Sequence, residues 1–223
     1  MSTSPADPAR YRSFLMDLLG VMAYGELSAF ERLSSDARYS PSLHDRAVLG
    51  RIAVIEFQHY ELVSARLDDM GVDAEVAMLP FQPSVDYFHE RTRPADWFES
   101  LMKAYVIDTV SADFYRALAR HLDASTRALV ERIQGGEEAT AVLRDRLQTA
   151  LADDPRLASR LSLWARRLLG EALSQARRVS LEHAFLGGLI GADEERSQEM
   201  VRDLTAEIAA NHSRRMSQLG LAG

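Results

Sequence analysis

Proline occurs at only seven positions in this chain, and between them lie long stretches that each carry a helical period. The seven are Pro5, Pro8, Pro41, Pro80, Pro83, Pro94 and Pro155. A proline inside a helix loses a backbone hydrogen bond and clashes with the preceding turn, so these positions mark boundaries. Residues 9–37 carry Leu15, Leu18, Leu19, Met22, Ala23, Leu27, Phe30 and Leu33 at three- and four-residue spacing, which predicts an amphipathic helix. Residues 42–70 repeat the pattern with Val48, Ile52, Ile55, Val63 and Leu67 and stop at Gly71. A loop is expected from 71 to about 93. A third helix then runs from Pro94 to about Leu122 and a fourth from Ser125 to Ala152, with Gly135-Gly136 marking a kink or wide turn. A fifth opens on Asp153 or Asp154 with Pro155 and ends at Gly187, Gly188 and Gly191. The sixth spans about Asp193 to Leu219. Alternating β-branched runs flanked by turn residues are absent. The expected fold is all-α: a four-helix bundle with a long crossover between helices 2 and 3 and two additional C-terminal helices. Residues 1–8 are expected to be a disordered tail and 9–223 one domain.

The chemistry concentrates where acids interrupt the apolar stripes. Glu56 and His59 are three residues apart, which puts both on one helix face, among Ile52, Ala53, Tyr60 and Val63. A carboxylate in such a stripe is costly unless paired or bound to a cation. Glu26 lies among Met22, Ala23, Phe30 and Leu33, and Asp108 among Ala104, Tyr105, Ala112 and Tyr115. Bundle-core di-metal sites take one acid from each of two helices and Glu-x-x-His from each of the other two. Here the first helix offers Glu26, the second Glu56 and His59, and the third Asp108, with Asp113 as the weaker choice. On the fourth, Glu137 supplies a carboxylate, but Thr140 stands where histidine is wanted. The expected metal ligands are therefore Glu26, Glu56, His59, Asp108 and Glu137. Arg144, one turn beyond Thr140, would neutralise a carboxylate if it points inward. The bland reading is a buried polar network in which His59 bonds Glu26 or Asp108 without an ion. Asp86 and His89 repeat the Glu56/His59 spacing but fall in the expected loop, and His44, His121, His183 and His212 are expected at the surface or at caps. Tyr60, Tyr105 and Tyr115 are expected to pack in the core.

Several stretches resemble one family. They are Ala23-Tyr24-Gly25-Glu26-Leu27, Ile55-Glu56-Phe57-Gln58-His59-Tyr60-Glu61, Lys103-Ala104-Tyr105-Val106-Ile107-Asp108, Ala112-Asp113-Phe114-Tyr115 and His212-Ser213-Arg214-Arg215-Met216. Over about residues 10–221 the chain resembles the ferritin-like proteins similar to the tRNA hydroxylase that acts on 2-methylthio-isopentenyl-adenosine. The resemblance implies a ferritin-like bundle, a di-iron centre held by Glu26, Glu56, His59 and Asp108, oxygen-dependent hydroxylation, and tRNA as a partner.

Composition narrows the alternatives. With no cysteine, thiolate zinc sites and iron–sulfur clusters are excluded. Any transition metal must be held by carboxylate and imidazole, which suits iron, manganese or zinc. A net charge of −7 argues against sequence-independent nucleic-acid binding. Arg166-Arg167, Arg177-Arg178 and Arg214-Arg215 are expected on solvated faces. The N-terminus lacks the apolar segment of a signal peptide, and no apolar run approaches the ~20 residues of a membrane span, so we expect a cytoplasmic protein with no membrane partner. Two functional readings stay open. One is a non-haem iron oxygenase with an incomplete di-metal site of one or two iron ions. The other is a metal-free, non-catalytic ferritin-like protein, structural or partner-binding, with a homodimer as one form.

Overall fold

A computed structural model describes residues 8–182 and 194–222. Its helices are α1 (Pro8–Asp36), α2 (Leu43–Asp69), α3 (Ala74–Met78), α4 (Gln82–Arg91), α5 (Trp97–Ala119), α6 (Ala124–Gln134), α7 (Glu137–Asp153), α8 (Leu157–Glu182) and α9 (Glu194–Gln218), with a 3-10 turn at Ala37–Tyr39. No strand occurs among the described residues. The four-helix core is α1, α2, α5 and the rod made of α6 and α7. Helices α8 and α9 pack against α5 as the additional C-terminal pair.

Local chemistry sets the ends. Ser42 caps α2 by accepting from the Asp45 N–H at 3.1 Å, and Asp96 caps α5 by accepting from the Glu99 N–H at 3.0 Å. Both are the expected side-chain answer to unsatisfied N–H groups in a first turn. At the end of α2, Gly71 takes a left-handed φ of 68°. Its N–H reaches the Asp68 carbonyl at 2.8 Å, and the Val72 N–H reaches that of Leu67 at 3.0 Å. That pair of bonds is a Schellman motif, and it explains why the helix stops there.

Three boundaries differ from the sequence reading. The expected loop at 71–93 contains α3 and α4. Pro83 sits in the first turn of α4, where a proline removes no hydrogen bond, so it opens a helix. The fourth helix is two: Gly135 ends α6 and Gly136 opens α7. The third begins at Trp97, three residues after Pro94. The glycines expected to end the fifth helix and the expected N-terminal tail, except Pro8, lie outside the described residues.

The core divides into two clusters. One joins Phe14, Leu18, Met22, Val63, Leu67 and Val130. The other joins Leu49, Ile52, Met102, Leu147, Leu161 and Leu168. Helices α1, α2 and α5 run through both. The segment Pro8–Tyr39 is long and apolar enough, by length and composition, to cross a membrane, which the reading of apolar runs overlooked because polar residues are interspersed. In this fold Leu18, Leu19, Met22 and Ala23 of that helix are fully buried against the rest of the protein.

Candidate metal centre

Glu26 of α1 and Glu56 and His59 of α2 converge, with one ligand-type atom from each lying within 4.8 Å of the others. His59 Nδ1 is 3.4 Å from Glu26 Oε2 and 3.8 Å from Glu56 Oε2. The three-residue spacing puts Glu56 and His59 on the face of α2 that meets α1, and Glu26 is 9% exposed. Burial pushes the Glu26 carboxyl well above the usual range, with the His59 hydrogen bond opposing it. Burial lowers the His59 imidazole, but hydrogen bonds to Glu26 and Glu56 outweigh it and hold the ring above its ordinary value. Without a cation, these three groups are stabilised by sharing protons. Nearby Tyr115 is buried, and burial followed by the field of Glu26 raises its hydroxyl pKa.

The remaining expected ligands behave differently. Asp108 lies on the wall of the same cavity but outside the compact group, and its Oδ2 accepts a short hydrogen bond from the Thr140 hydroxyl. Burial raises its pKa, the Thr140 bond opposes, and Glu56 raises it further. Thr140 thus occupies the histidine position by bonding the carboxylate that an ion would need. Glu137 is the first residue of α7, and its side chain lies outside the described residues. Asp113 is no candidate, because both of its oxygens accept from Arg215 at 2.7 Å. Arg144 is exposed and pairs with Asp145 at 3.4 Å, and it pairs with no core carboxylate among the described residues.

Other expectations divide in the same way. Tyr105 and Tyr115 are buried in the core, and Tyr60 packs on Phe57 with ring centroids 5.6 Å apart. Arg214 is exposed while Arg215 turns inward, so that basic pair is not one solvated face. His44 and His121 are exposed and His183 lies outside the described residues. His212, expected near the surface, is 1% exposed. Neither of its ring nitrogens has a partner among the described residues, and burial, then Arg215, lowers its pKa.

The cluster opens on a cavity of about 310 Å³ with mostly apolar walls, reached by side chains from α1, α2, α4, α5, α7 and α8. The sequence reading missed a second polar group on its wall. Lys103 is 6% exposed, and its Nζ donates to the Thr92 carbonyl at 2.9 Å. Burial and then Arg32 lower its pKa to about 8, against the pull of Asp36. His89 sits beside it on α4, pushed down to about 3 by burial, then Lys103 and Arg32. The Asp86/His89 spacing marked His89 in the sequence, but reading its segment as a loop set that signal aside. Its partner in spacing, Asp86, accepts from the Tyr24 hydroxyl at 2.8 Å instead.

Lys103 carries a pH signature. The unfolded chain keeps this proton up to the ordinary 10.5, whereas the folded chain loses it near 8. Between those values the unfolded state binds more protons, so stability rises with pH. The full gap corresponds to about 3 kcal/mol. Urea melts of wild type and Lys103→Met between these limits are expected to show the rise in the first and its loss in the second.

Comparison with known proteins agrees with this architecture. A family model described as "Ferritin-like domain, actinomycetes" matches residues 9–193. No curated protein matches the chain. A solved structure described as "Protein 19 with aldehyde deformylating oxidase activity from Synechococcus" is similar at a TM-score of 0.64 and 21% identity, over 95% of this chain and 96% of that one. That likeness is one of fold. The chain belongs to the ferritin-like domain family of actinomycetes.

Proposed function

We propose that this protein is a non-haem iron oxidase or oxygenase that acts on an apolar substrate group held in the cavity. The observation that carries the reading is the convergence of two carboxylates and one imidazole nitrogen on the wall of an apolar chamber. The donor set fits a single ion. Oxygen and imidazole ligands without thiolate suit iron, and three protein ligands leave coordination positions open. They do not fit a second ion equally well, because Thr140 supplies no imidazole and bonds Asp108. Glu26, Glu56 and His59 would hold the iron, and Asp108 would face it from α5. When bound, reduced iron supplies the oxygen chemistry. The chain itself positions the ligands on two rigid helices, and its apolar walls exclude water and strengthen electrostatics inside.

Two further lines support an oxidative role. The Synechococcus protein of similar fold carries an aldehyde deformylating oxidase activity. The stretches around Glu26, Glu56 and Asp108 resemble the tRNA hydroxylase-like proteins, and through them the apolar isopentenyl group of a modified adenosine is a candidate substrate. Protein produced in iron-supplemented cells is expected to carry a single iron per chain by elemental analysis. Glu56→Ala and His59→Ala are expected to lose it while keeping the helical circular-dichroism spectrum. Metal at background level in wild type would overturn the proposal.

The Thr140–Asp108 hydrogen bond favours a second reading, a metal-free ferritin-like protein whose core acids are stabilised by protons and hydrogen bonds alone. That reading expects Glu56→Ala to alter stability while metal content stays nil.

A further inference from the structure

The cavity carries two polar groups at different levels, and only one of them suits a metal. On α5, Lys103 precedes Asp108 by five residues, about 8 Å along the axis. On α1, Glu26 precedes Arg32 by six, about 9 Å. Two helices thus give the same offset between the carboxylate–imidazole cluster and a second group made of Arg32, His89 and Lys103. Ala29, Leu33, Ala104 and Ile107 line the wall between them.

This second group has unused hydrogen-bonding capacity. A lysine ammonium has three N–H donors. The Lys103 ammonium gives one of them to Thr92, where it caps the C-terminus of α4, and sits 5.4 Å from the Phe88 ring centroid. No other acceptor reaches it among the described residues. His89 Nδ1 is buried and has no partner among the described residues. Arg32 is exposed and lies on the cavity wall. Against Arg32 and Lys103 stands one carboxylate, Asp36, which accepts from the Ser100 hydroxyl at 2.9 Å. The group therefore carries one surplus positive charge when His89 is neutral. A buried cation with unfilled donors is costly unless an anion completes it.

We propose that Lys103, Arg32 and His89 form the head-group subsite for an apolar carboxylic acid, whose carboxylate lies on the Lys103 ammonium and whose hydrocarbon body extends along the cavity towards Glu26, Glu56 and His59. A monoanion matches the single surplus charge, and the apolar wall matches a hydrocarbon body. A cavity of about 310 Å³ lies at the small end of the range for small-molecule sites. That the acid is also the compound oxidised rests on the metal centre proposed above; its binding does not.

The test uses the full chain with decanoate and 1-decanol as probes, by isothermal titration calorimetry. Wild type is expected to bind the acid about tenfold to a hundredfold more tightly than the alcohol, as for a hydrogen bond to a charged group. Lys103→Met is expected to bring the acid down to the level of the alcohol and leave the alcohol unchanged. Lys103→Arg is expected to restore part of the difference. Arg32→Gln, at an exposed position, is expected to weaken the acid selectively even if Lys103→Met fails to fold. Equal affinity of acid and alcohol in wild type would overturn the subsite. So would acid binding that survives Lys103→Met but is lost in Glu56→Ala, since the head group would then sit at the other end. Retained acid binding in Glu56→Ala supports the subsite independently of any metal, so failure of the metal reading stays distinguishable from failure of this one.

Discussion

Arg215→Ala is expected to destabilise the protein by about 3–5 kcal/mol, the usual cost of removing one partner from a buried ion pair. Asp113 is 3% exposed at its side chain, and both of its oxygens accept from Arg215 at 2.7 Å. After the change only Arg116 remains, at 3.3 Å and itself largely exposed. A carboxylate buried in the middle of α5 would then be left nearly uncompensated. The pair also ties α9 to α5 across 102 residues of sequence, so the loss should loosen the C-terminal helix first. The double variant Asp113→Leu/Arg215→Met removes both charges and is expected to recover most of the loss. Urea unfolding of the two variants checks this, and a double variant no more stable than Arg215→Ala would refute the account.

Gly20→Ala is expected to destabilise by about 2 kcal/mol or more, against its helix propensity. A Cβ at this position would collide with the Ala77 carbonyl oxygen and lie 3.2 Å from a ring carbon of Phe81. The nearer atom is backbone, so α3 would have to move away from α1. Alanine in a helix interior is otherwise favoured over glycine by about 1 kcal/mol, and overpacking outweighs that gain. Gly50 of α2 is the control, because a Cβ there meets nothing within 4 Å. Gly50→Ala is expected to stabilise by about 0.5–1 kcal/mol. Thermal melts of both variants should therefore shift in opposite directions.

The metal-type cluster was legible because its signal is local. Glu56 and His59 declare their shared face by spacing, and Glu26 stands out as an acid inside an apolar stripe. The four-helix core and its two added helices followed from periodicity between prolines. What could not be read depended on distant partners. Nothing near Asp113 announces that Arg215 will meet it, and nothing near Asp108 announces that Thr140 will take its oxygen. His89 was discounted and Lys103 overlooked for a different reason. Two prolines disguised α4 as a loop, and a single lysine in a helix is ordinarily a surface residue.

The two apolar clusters leave Glu26, Glu56 and His59 at the level where one gives way to the other. The cavity deprives side chains there of neighbours on one side, so this plane holds less cohesive packing than the interior on either side. Helices α1, α2 and α5 cross it without interruption, whereas the fourth rod breaks nearby at Gly135-Gly136. A partial opening of the bundle would therefore begin along this level, exposing the acids and the imidazole to water while both halves keep their interiors intact.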